Sequence, residues 1–228
     1  MADDRRPINM ALWGAWTRAG ADRWDALRWS TTTFARNTDE LMGLLNRAAA
    51  DVALALTLMN DDLQTDPFWP ELDRRLHNQL ASTVTLIDHT RRLISYYESD
   101  APDLAAEYEA RNARVRGTNE AAFLRGLRNY LLHYSVPVMI QALTFGPGAP
   151  RHDIKLSAAR LLEWPEWKAV ARAYLSAFGD RDGPVLGRDV ATYATAMGWL
   201  FTWLLEQRAV VSGIVNVPTR FRIDAPVE

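Results

Sequence analysis

Arg128, Asn129 and His133, in the stretch Leu-Arg-Asn-Tyr-Leu-Leu-His-Tyr-Ser-Val-Pro at 127–137, are the residues whose types and spacing could do chemistry. An imidazole moves protons near neutral pH, a guanidinium holds a pentacovalent phosphate through a forked contact, and a carboxamide orients either of them. Together these groups can cleave a phosphodiester without a metal. The stretch reads as one helix that opens on Thr118 as N-cap and ends before Pro137, which disfavours the helical conformation in the residue preceding it. Turning about 100° per residue, Phe123, Leu124, Leu127, Tyr130, Leu131 and Tyr134 share a broad apolar face. Arg125, Arg128, Asn129 and His133 fall on the opposite arc, which only Leu132 interrupts. Asn129 and His133 are one turn apart and within reach of each other, and the helix dipole favours a cation at His133 in the last turn.

The pattern R-N-x-x-x-H at Arg128, Asn129 and His133 resembles the signature of the HEPN superfamily, helical proteins many of which are metal-independent RNA endonucleases. The resemblance implies a homodimer in which Arg128 and His133 of two copies meet at one composite site. His133 would take or give the proton of the 2′-hydroxyl or the leaving oxygen, Arg128 would stabilise the phosphorane, and Asn129 would orient His133. It further implies a toxin or defence setting, and neither metal nor cofactor. The resemblance covers residues 123–137; the other helices are generic to bundles, to which this chain adds a Trp-rich arm and a hairpin.

RNA contact would rest on a local cluster, because a formal net charge of -2 gives no global attraction for nucleic acid. Arg111, Arg114, Arg116, Arg125 and Arg128 follow one another closely, with Asn112, Asn119, Tyr130 and Tyr134 among them. Arg114, Arg116, Arg125 and Tyr134 are the expected RNA-binding residues. A second reading stays open: a non-catalytic helical interaction or scaffold protein whose Arg and aromatic side chains pack a dimer or bind a partner. A third is RNA binding without cleavage.

Composition narrows the field. With 48% hydrophobic and 24% charged residues in 228, the chain is globular and long enough to bury a core. It has no Cys, which removes disulfides, thiolate metal sites and a Cys nucleophile. No Glu-x-x-His or His-x-x-x-His occurs, nor a phosphate loop or a Gly-x-Ser-x-Gly elbow, and Gly146-Pro147-Gly148 has Arg151 where a dinucleotide loop needs its third Gly. The start lacks the basic-then-apolar order of a secretory signal, and the uncharged apolar run 190–205 is too short for a bilayer. A cytoplasmic chain with no membrane association is expected.

The elements that must position the site read as an all-α, multi-helix bundle with a small β-hairpin insertion around residues 136–157, forming a single domain over 1–228. Residues 1–37 form a Trp-rich N-terminal arm and 218–228 a loose tail. Trp13, Trp16, Trp24 and Trp29 need cover from the bundle or from a partner. Thr31-Thr32-Thr33-Phe34 reads as extended, leading to an N-cap at Thr38 or Asp39 and a core helix to about Asn60. A long helix follows over 71–99, carrying His77, Asp88 and Arg92 on a polar line and His89 elsewhere. Shorter helices over 103–115, 156–164 and 165–178, the last starting at Pro165, and an apolar one over 188–207 complete the set.

Overall fold

The computed structural model describes residues 18–145 and 150–211. Of these, 73% lie in eight helices, and one antiparallel hairpin interrupts them. The chain is an all-α bundle with a hairpin insertion, as the sequence predicts. Its contacts divide it into two compact units, and each is taken separately. The first draws on Met1–Thr32, Val84–Arg116 and Thr195–Glu228, the second on Thr33–Thr83 and Gly117–Ala194. Trp13, Trp16, the Gly/Pro turn at 146–149 and the predicted tail lie outside the described residues.

Helix α1 (Arg18–Ala50) is continuous through 31–34, where an extended segment is predicted. The hydroxyls explain the difference. Ser30, Thr31, Thr32 and Thr38 donate to the carbonyls of Ala26, Leu27, Arg28 and Phe34, each one turn back. The β-branched residues thus satisfy their polar groups inside the helix. Trp24, Leu27, Phe34, Leu41 and Leu45 meanwhile bury one stripe of it. Thr38 and Asp39 lie within the helix and cap nothing. The break comes later: Asp51 accepts from the Leu54 amide at 3.0 Å and starts α2 (Val52–Met59). The predicted 39–60 helix is therefore two helices, bent by 91°.

The first unit contains the N-terminal part of α1, the C-terminal part of α3 (Phe68–Tyr97), α4 (Pro102–Arg116) and the end of α8 (Leu186–Val211). Trp24 is fully buried, its ring 6.5 Å from that of Tyr97, whereas Trp29 is largely exposed. The first of these indoles belongs to the bundle's own core.

The second unit contains α5 (Asn119–His133), β1 (Met139–Thr144), β2 (Arg151–Leu156), α6 (Ala158–Leu162) and α7 (Ala169–Ser176). The register runs from Met139 opposite Leu156 to Thr144 opposite Arg151. His152, Ile154 and Leu156 point inward from β2 at period two. The other edge of β2 is covered by the 182–185 segment: Leu156 donates to Pro184 O and Ala158 to Asp182 O. A side chain at Gly183 would overlap the Leu156 carbonyl, so only Gly lets the two backbones approach this closely. Pro165 does not open α7, which starts four residues later. It lies in a turn that lets Trp164 and Trp167 both turn inward, the Trp167 indole donating to Leu161 O at 2.6 Å. No single helix among the described residues is long and apolar enough to cross a membrane.

Candidate functional site

The polar face of α5 is set by what its other face buries. Ala121, Phe123, Leu124, Leu127 and Tyr130 are buried. Trp167 lies between Phe123 and Tyr130, stacked on both at ring separations of 6.0 and 6.1 Å, and Trp164 meets Tyr130 edge-on at 5.9 Å. Gly126 makes this contact possible, because a Cβ there would lie 2.6 Å from Trp167 Cε3 and nearer still to Cζ3. Burial of Tyr130 raises its phenol above the ordinary tyrosine range. With these rings fixed, α5 cannot turn about its axis without opening the core.

At the N-terminus Thr118 accepts from the Ala121 amide as predicted. At the other end the helix stops at His133, three residues before the sequence reading ends it. Tyr134 leaves the helical region at φ -128 and ψ -70, its ring held 5.2 Å from that of Tyr130. Asn129 and His133 are exposed and Arg128 is half-buried. The Arg128 guanidinium donates to Asn129 Oδ1 at 3.3 Å. Asn129 thus engages the arginine, whereas the sequence reading gives it the task of orienting His133. Neither Arg128 nor His133 forms an ion pair with any described residue, and His133 has no hydrogen bond among them.

The predicted binding residues belong to two units. Tyr134 is exposed beside His133. Arg125 is half-buried, and its positive charge acts on the Tyr193 phenol, which burial pushes up to about 12. Arg114 and Arg116 are exposed near the C-terminus of α4, in the first unit. Arg111 is occupied: it pairs with Glu107 and lies over the rings of Trp199 and Trp203 at 5.1 and 4.7 Å. Asn112 and Tyr130 are buried. Arg111, Arg114 and Arg116 thus belong to the first unit, and Arg125 and Arg128 to the second.

One residue beyond the motif adjoins it. His77, on α3, lines a depression of about 50 Å³ together with Leu80, Ala81, Arg128, Leu131 and Leu132. The sequence places His77 on a polar line of its helix, but only the packing of α3 beside α5 puts it next to Arg128. Among the described residues, no group of three or more His, Asp or Glu is arranged to hold a metal ion. What these side chains can do is bind an anion and transfer protons.

Comparison with protein-family models, with curated proteins and with solved structures finds no match for this chain.

Proposed function

We propose that the chain is a metal-independent RNA endonuclease of HEPN-like type that works as a homodimer. The observation that carries this reading is the state of His133: an exposed imidazole without a partner among the described residues, in the last turn of a helix whose Arg128 bonds only a neutral amide. His152 and Arg75, by contrast, are held by other elements or by a neighbouring acid.

Five residues of α-helix separate Arg128 from His133 by roughly 140° around the axis. In a single copy they diverge. Two α5 helices crossing face to face would set the arginine of each against the histidine of the other. Leu132, Tyr134, Val136 and Val138 around that end are 43%, 48%, 61% and 43% exposed, which supports an interface there. In such a site His133 moves the proton of the 2′-hydroxyl or of the leaving oxygen, and Arg128 neutralises the charge gathering on phosphorus-bound oxygens. Asn129 holds the guanidinium in place.

The same exposed apolar residues also suit a purely structural dimer, and one experiment separates the readings. His133→Ala should abolish cleavage of single-stranded RNA in EDTA while leaving the unfolding midpoint unchanged. Cleavage that persists in this variant rejects the assignment, and wild-type protein that dimerises without cutting RNA favours the structural reading.

A further inference from the structure

We infer that His77 is a second ligand for the phosphate that Arg128 binds, so that the depression between α3 and α5 is the seat of one RNA phosphate group. The inference rests on the nuclease reading for its substrate, and its own observation is the placement of His77 beside Arg128. The chain has four histidines. His89 bonds the Ser30 hydroxyl at 2.9 Å and lies 3.2 Å from Ala26 O. His152 is buried between Ala48 O and Gln141 Oε1. Only His77 and His133 have no bonding partner among the described residues, and His77 shares a depression with the motif's arginine.

The lining favours a small anion. Leu80, Ala81, Leu131 and Leu132 bring only aliphatic groups, so His77 and Arg128 are its polar side chains. Arg128 spends one contact, at 3.3 Å, on Asn129, and its remaining N–H groups keep the fork that matches two oxygens of a phosphate. A protonated imidazole across the depression donates to a third oxygen. The acid nearest on α3, Asp73, is one turn before His77 and forms no hydrogen bond or ion pair with it. Glu71 is engaged by Arg74 and Arg75. Room of about 50 Å³ holds a tetrahedral anion or a few waters but no base or sugar. The nucleoside parts would therefore lie over the exposed face of α5, toward Tyr134 and His133.

The test uses the full chain with its histidine rings isotopically labelled. Four ring signals are resolved and assigned through single His→Gln variants, and inorganic phosphate is titrated at pH 6, where an ordinary imidazole is mostly charged. The His77 signal should shift saturably, the shift should vanish in Arg128→Met, and His89 and His152 should stay still. A His77 signal that ignores phosphate, or moves equally without Arg128, overturns the inference. A second arm measures affinity for a single-stranded RNA oligonucleotide in the His133→Ala background, with the oligonucleotide checked for integrity after each titration. There His77→Gln should weaken binding about 3- to 10-fold and lower the salt slope by about one. Unchanged affinity and slope, or no RNA affinity at all, removes RNA as the ligand. Failure of the nuclease reading looks different: cleavage survives His133→Ala while the phosphate-induced shift of His77 remains.

Discussion

His89 and His152 bond backbone carbonyls and side chains of other elements, and Arg75 and Arg111 are engaged by acids or rings. By contrast, no described acid pairs with Arg128, whose guanidinium bonds only Asn129, and His133, like His77, has no hydrogen-bond partner among the described residues. Lysine at 128 keeps the charge but loses the planar fork, so Arg128→Lys should lower cleavage by roughly 10²–10³-fold, if the proposed role is right. Its unfolding free energy should stay within about 0.5 kcal/mol of wild type, as at other surface positions. Single-turnover rates and urea unfolding of the same preparation check both halves of this expectation. An equal loss in rate and stability would mean that Arg128 supports the fold rather than the phosphate.

At the scale of the element, α5 is aimed by Trp167 filling the notch at Gly126. Alanine in a helix interior is favoured over glycine by up to about 1 kcal/mol. Here its Cβ would press on an indole that is stacked on two rings and bonded to Leu161 O, and so cannot yield cheaply. Overpacking of this kind costs about 1–3 kcal/mol, so Gly126→Ala should be net destabilising in denaturant titrations. It should also reduce cleavage, by turning the polar face of α5. A glycine inside a helical pattern is visible in the sequence, but its partner, 41 positions later in a turn after Pro165, is not. The same limit explains 31–34. The β-branched run suggests a strand, and only the burial of neighbouring Trp24, Leu27 and Phe34 shows that helix wins there.

For the whole molecule, acid sensitivity follows from carboxylates with strong partners. Glu71 accepts from Arg74 and Arg75, which hold its pKa at about 2 against an ordinary 4.5. Asp61 is held below the usual range by the amides of Asp66 and Thr65, and Asp182 by Lys155. An unfolded chain takes up these protons at higher pH than the folded one. Their stabilisation is therefore complete above the ordinary carboxyl range and is lost as pH falls from about 4.5 toward 2. Asp189 has the opposite sign: burial raises it, although the Tyr174 hydroxyl donates to it at 2.7 Å. Urea midpoints between pH 6 and 2.5 should decline with acid, and Glu71→Gln should flatten the decline. An unchanged pH profile in that variant would show that the Arg74 and Arg75 contacts do not persist in solution.

The sequence by itself determined the helical class, the hairpin before residue 157, the Thr118 cap and which residues of α5 face away from its apolar side. These follow from periodicity and from turn residues, which act over a few positions of chain. Only the tertiary structure decided which charged groups the fold engages, that the arginine run is divided, and that His77 adjoins Arg128. Those outcomes depend on which helix packs beside which, and contacts between residues about 50 positions apart leave no trace in local spacing.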